Sequence, residues 1–167
     1  MADNQVIYDV EGDAILTDAI MNLVNTYPAL KNEQIAFCAL SPNSGKALFP
    51  TGGAVVERDR RDILGNRQQN CLYPFTVVYR VGGARSSKKI AIKNWLDTFG
   101  CWLEMQDVQI DGQTYRLQEY PTLTGNRKIT EITRQSPAYL ESINDNGSEN
   151  WVVSITAHYT NEIIKGA

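Results

Sequence analysis

Histidine is nearly missing from this chain: His158 is the sole example among 167 residues, so every other position lacks the commonest metal ligand and general base. Cysteine is scarce too. Cys38, Cys71 and Cys101 are odd in number, far apart and set among apolar neighbours, and are expected as buried thiols of a reducing compartment rather than a disulfide frame or zinc site. Neither charge dominates: 16 Lys and Arg against 19 Asp and Glu leave a formal net charge of -3, with an isoelectric point near 5.2. Nucleic-acid binding by phosphate neutralisation needs a clustered basic excess, so both general and sequence-specific binders are disfavoured. No stretch approaches the roughly 20 apolar residues of a membrane span, and MADNQVIYDVEGDA has no basic region leading into an apolar run. These absences lead us to expect a cytoplasmic protein that meets no membrane.

What is present reads as a single domain over residues 1–167, without repeats, low-complexity tracts or a long linker. A chain of this length with 43% hydrophobic residues buries roughly 68–70% of its unfolded surface and needs no metal or disulfide staple. Gly12-Asp13 offers a cap for a helix from Ala14 to about Tyr27, on which Ile15, Leu16, Ala19, Ile20, Leu23, Val24 and Tyr27 share one half of the circumference. Pro28 closes it. Ile35 to Leu40 reads as a short buried strand before the turn-rich residues 41–45.

From Ala54 an apolar start passes into the run Glu57-Arg58-Asp59-Arg60-Arg61-Asp62, and Leu64-Gly65-Asn66-Arg67 carries the turn chemistry of a long hairpin. Its returning arm, Leu72 to Val81, alternates with period two: Phe75, Val77, Tyr79 and Val81 on one face, Thr76, Val78 and Arg80 on the other. Pro74 places the start of that strand at an edge or bulge. Gly82-Gly83 breaks it, and Ser86 or Ser87 caps a helix to about Glu104 with Ile92, Trp95, Leu96, Phe99, Trp102 and Leu103 on one stripe. Ile90 and Cys101 form a weaker stripe opposite, a candidate for contact with a neighbouring subunit. Asp111-Gly112 turns a hairpin, 127–134 and 151–160 alternate as strands, and SINDNGSEN between them is expected as an exposed turn. The expected fold class is α+β: a mostly antiparallel sheet with two amphipathic helices packed on one face and a long projecting β-hairpin.

Chemistry is thin. His158 lies mid-strand with no activated Ser or Cys and no carboxylate at a recognisable spacing, so a small hydrolase using it is the weakest reading. GGARSSKK places Arg85, Lys88 and Lys89 at a helix N-terminus that could draw an anion, but it lacks the frame of a P-loop. No catalytic, cofactor or metal set assembles, and we expect neither an enzyme nor a cofactor. The charged run differs: as a strand it carries charge on both faces, with Glu57, Asp59 and Arg61 one way and Arg58, Arg60 and Asp62 the other, so neither is a core layer. Either it is a solvated hairpin, or Glu57, Arg58, Asp59, Arg60, Arg61, Asp62, Asn66 and Arg67 meet complementary charge on another copy of the same chain.

The order of elements, with ALFPTGGAVVERDRRDILGNRQQNCLYPFTVVYR and the following KIAIKNWLDTFGCWLE, resembles the tail terminator and minor capsid-type (tail completion) proteins of tailed bacteriophages and phage-derived contractile particles. The likeness covers about Asp13 to Thr160, and its local strings DILGN, YPFTVVYR and NWLDTFGCWLE carry no invariant chemistry. The resemblance implies a non-enzymatic virion protein, assembled in the bacterial cytoplasm, that forms a hexameric ring on the last ring of tail tube. Such a ring stops tube growth and offers a surface to the head connector at the tail-neck junction. Implied partners are further copies of the chain, the tail tube protein, a neck or head-connector protein, and a sheath protein where the tail contracts. DNA would pass through the lumen, and an acidic wall avoids gripping it. A neck or head-completion protein of the same particle is the alternative, then a tail-tube protein.

Overall fold

A computed structural model describes residues 5–83 and 86–166. In chain order the elements are β1 (Ile7–Tyr8), α1 (Val10–Val24), β2 (Ile35–Phe37), β3 (Gly45–Pro50), β4 (Val55–Arg61), β5 (Arg67–Val81), α2 (Ser86–Leu103), β6 (Val108–Ile110), β7 (Gln113–Tyr115), β8 (Arg127–Arg134), β9 (Tyr139–Ile143) and β10 (Glu149–Ile163). The class is α+β, with two α-helices and a mostly antiparallel sheet of eight strands; β6 and β7 form a separate two-stranded sheet.

Two 15-residue strands make the sheet's spine. β5 and β10 pair antiparallel over their whole length, from Arg67↔Ile163 to Val81↔Glu149. Each is flanked by a strand broken in two: β3 and β4 lie end to end along β5, and β8 and β9 end to end along β10. β1 adds to β4, and β2 adds to β3 as the one parallel pair. On the spine, Cys71, Tyr73, Phe75, Val77 and Val81 share one core cluster with Val153, Ile155, Ala157 and Tyr159, because odd residues pair with odd ones and so face the same way. Leu16, Ile20, Leu23 and Val24 of α1 and Ile92, Leu96, Phe99, Trp102 and Leu103 of α2 belong to that same cluster. Each such side chain contributes about 1.5–3 kcal/mol when fully buried. Tyr27 meets Trp95, Phe99 and Trp102 at centroid distances of 5.1–5.2 Å, edge-on to the first two, so an aromatic knot locks the end of α1 to α2.

Several expectations need correction. α1 starts four residues before Ala14, and its cap is Asp9, whose carboxylate accepts from the Gly12 amide at 3.0 Å; Gly12 lies inside the first turn. The helix ends at Val24, and Tyr27 instead precedes a one-turn 3-10 helix, Pro28–Leu30. The strand expected over 35–40 is only three residues, and Ala36, Phe37 and Cys38 are exposed because β2 is an edge strand. Cys38 turns the chain back at φ +52°, so of the three thiols Cys71 alone is fully buried and Cys101 is partly so. Residues 139–143, assigned in part to an exposed turn, form β9, and Ser148 and Glu149 beyond them are buried.

Pro74 sits in the middle of a central strand, opposite Thr156, instead of at an edge. Its carbonyl accepts from Thr51, in the gap where β3 has ended and β4 has not begun. The nitrogen of a strand residue points the same way as its carbonyl, so the missing N–H faces the chain just past the end of β3 and away from β10.

Candidate functional site

The charged run occupies β4 and the turn into β5. β4 carries a bulge between Val56 and Arg58, so Glu57 is the extra, unpaired residue and does not continue the expected alternation. Beyond the bulge Arg58 lies opposite Asn70, Asp59 opposite Gln69, Arg60 opposite Gln68 and Arg61 opposite Arg67. Asp59 and Arg61 therefore share the helix-side parity with Gln69 and Arg67, and Arg58 and Arg60 share the other face.

Internal contacts divide these eight residues into two groups. Asp59 forms a two-toothed ion pair with Arg67, which donates through Nε at 3.2 Å and also through Nη2, and Gln69 Nε2 donates to it at 3.3 Å. The Arg67 hydrogen bond holds the Asp59 carboxyl below the usual carboxylate range. Asp62 ties the turn: its Oδ1 accepts from the amides of Leu64 (2.8 Å) and Asn66 (2.9 Å), and its Oδ2 from the Asn66 side chain. Desolvation in the turn pushes the Asp62 carboxyl up, but these hydrogen bonds outweigh it and hold it low. Asn66 Oδ1 in turn accepts from the Lys165 amide at 3.0 Å. By contrast, Glu57, Arg58, Arg60 and Arg61 make no ion pair among the described residues. The tip itself is apolar: Ile63 is fully exposed and Leu64 is 71% exposed. A cleft of about 420 Å³ runs beside it between Arg60, Arg61 and Arg67 on one side and Glu162, Ile163 and Ile164 on the other.

The hairpin is less free than its sequence implied. β5 is paired with β10 as far as Arg67, so only the turn 62–66 passes the last paired row, and even there Lys165 follows alongside.

His158 lies on β10 opposite Glu131 and Leu72, with Nε2 3.1 Å from Thr133 Oγ1. Of the anion-attracting set, Arg85 lies outside the described residues, Lys88 is exposed, and Lys89 pairs at 3.0 Å with the buried Glu149. Among the described residues no group of three or more His, Cys, Asp or Glu is placed to hold a metal ion, and no helix is long and apolar enough to cross a membrane.

Two charged clusters escaped the sequence reading. Arg127 clasps Asp9 through Nε and Nη2 (3.0 and 2.8 Å), Tyr159 donates to the same carboxylate at 2.7 Å, and both ionic side chains are more than nine-tenths buried. Burial alone raises the Asp9 pKa, but the Arg127, Tyr159 and Gly12 hydrogen bonds more than offset it and leave it lowered. A Cβ on Gly12 would stand 2.0 Å from Asp9 Oδ2, so the network needs glycine there. At the far end Lys46, buried in β3, pairs with Glu33 and lies 4.2 Å over the Tyr79 ring and 5.2 Å over Trp95. Partners 118 residues apart, as Asp9 and Arg127 are, leave no local spacing to read.

No protein-family model matches the chain, and no curated protein matches it.

Proposed function

We propose that this chain is a structural protein of a tailed bacteriophage or phage-like particle: a tail terminator that closes the growing tail tube as a ring and offers the joining surface to the head side. The observation that carries the reading is the division of labour in the hairpin. Asp59, Asp62, Asn66 and Arg67 fix its shape, while Arg58, Arg60 and Arg61 stand without ion-pair partners among the described residues beside an apolar tip. A rigid element presenting unpaired charge and exposed apolar side chains is what a contact with another protein surface requires. The helices act as the rigid backing of the sheet and the tip as the part that reaches the next subunit or the tube. Further partners on this reading are the tail tube protein, the neck or head-connector protein and, in a contractile particle, the sheath protein; no reaction is catalysed and the place of action is the virion.

The test is tube length. Tail-tube protein polymerised with and without the purified chain, measured by negative-stain microscopy, should give tubes of bounded length only when the chain is present. Tubes that overgrow equally in both samples overturn the terminator reading. Particles lacking the gene that carry finished tails of normal length but no heads would instead identify a neck protein.

A further inference from the structure

Two solvent-facing corners of the sheet complement one another. The first is the hairpin corner, where β4 runs past β1 with no strand beside Glu57–Arg61 among the described residues. The second is β9, whose five residues are all exposed and which pairs only with β10. It presents Tyr139, Leu140 and Ile143 (45, 37 and 64% exposed), with Glu141 and, in the turn that follows, Asp145, neither of which makes an ion pair among the described residues. β4 lies against the start of β5 and β9 against the start of β10, and those strands run antiparallel, so the two corners lie on opposite edges and at opposite ends of the sheet.

We infer that the hairpin corner of one copy docks on the β9 corner of a second copy, with Ile63 and Leu64 against Tyr139, Leu140 and Ile143, and Arg58, Arg60 and Arg61 facing Glu141 and Asp145. This names the acceptor for the hairpin and rests on the ring reading above. Charge selects the geometry. The hairpin corner sets three arginines against one carboxylate, Glu57, without ion pairs among the described residues, so a two-fold contact of hairpin on hairpin opposes net positive charge and one of β9 on β9 sets Glu141 and Asp145 against themselves, whereas hairpin on β9 opposes unlike charges. A head-to-tail contact between different patches of identical chains is the kind that closes into a ring. Both strands are also bulged, at Glu57 and at Glu141 between Ser142 and Leu140, which spoils regular backbone addition along either edge. The join is therefore made through side chains, and uncontrolled strand stacking is discouraged.

Two reciprocal variants of the full chain test it by sedimentation velocity and native mass spectrometry at low and physiological ionic strength: R58E/R60E and E141R/D145R. Each alone should raise the apparent dissociation constant of the oligomer on the order of tenfold or more. Mixed in equal amounts they should restore it, because every hairpin then finds an acceptor of opposite charge. All four positions are exposed, and thermal unfolding of each variant checks that folding is unchanged. Independently, with Cys38→Ser in both chains, Leu64→Cys in one and Ile143→Cys in the other should give a disulfide-linked heterodimer on oxidation. Oligomers that form but ignore the charge reversals and yield no cross-link overturn this docking mode while leaving the ring reading intact. A wild-type chain that stays monomeric at every concentration and on tube ends overturns both.

Discussion

The side chains that decide most about this molecule are charged and hidden. Asp9 serves three partners at once: it caps α1, pairs with Arg127 and accepts from Tyr159. Removing the cation strands a buried carboxylate, so Arg127→Met is expected to lower the free energy of unfolding by about 3–5 kcal/mol in denaturant titration. Because the folded-state pKa of Asp9 lies below its unfolded value, the network contributes fully above about pH 4 and loses its contribution as the pH falls further, through the folded value. The stability gap between wild type and Asp9→Asn should accordingly be large at neutral pH and shrink in acid. Gly12 gives a sharper test. Alanine is the better helix former by about 1 kcal/mol, yet its Cβ displaces the capping carboxylate, and Gly12→Ala should cost about 1–2 kcal/mol through the lost cap. Cys71 provides an alkaline counterpart: burial pushes its thiol up to about 11, so stability should be lost as the pH rises from the thiol's ordinary range through that value. In the folded protein Cys38 should react with thiol reagents well before Cys71.

Elements differ in how openly the sequence declares them. The apolar stripe of α2, the period-two runs of β5, β8 and β10, and the Asp111-Gly112 turn, where both residues take positive φ, are local patterns and were legible. The start of α1 was not, because Gly12-Asp13 mimics a cap while Asp9 earns its role from Arg127 and Tyr159, far along the chain. Pro74 misled for a similar reason: only the neighbour's interruption at 51–54 makes a central proline harmless. Restoring a donor there adds at most one bond, to the chain just past β3, so Pro74→Val should leave stability within about 1 kcal/mol, where a proline facing a continuous neighbouring strand would show a larger gain on replacement. Within the candidate site, the turn and its charges were legible as residues, but the split between those that brace and those left over was not. Asp62 is a brace. Asp62→Ala should raise amide hydrogen exchange at Leu64 and Asn66, whose N–H groups it accepts from, while the protection of β5 residues 71–78 stays put.

On the scale of the whole molecule, the proposed docking separates the residues of assembly from those of stability. Reversing Arg58, Arg60 and Arg61 together should leave the unfolding free energy within about 0.5 kcal/mol per site, since all three are exposed and none makes an ion pair among the described residues, and on the proposed docking should weaken self-association in a salt-dependent way. A fall in thermal stability matching the fall in assembly would show that the arm is part of the fold instead.

The β5–β10 spine also sets a timetable. α2 and four strands separate its two halves in the chain, so β5 emerges from the ribosome with its hydrophobic face made and its long partner not yet synthesised. Pairings this distant in sequence form late and slowly. Until about residue 163 is available, the nascent chain holds a strand of fifteen residues with only its β3–β4 side paired, and its other edge is open to any extended segment. The protein should therefore fold essentially after translation has passed β10, and prematurely terminated chains should aggregate.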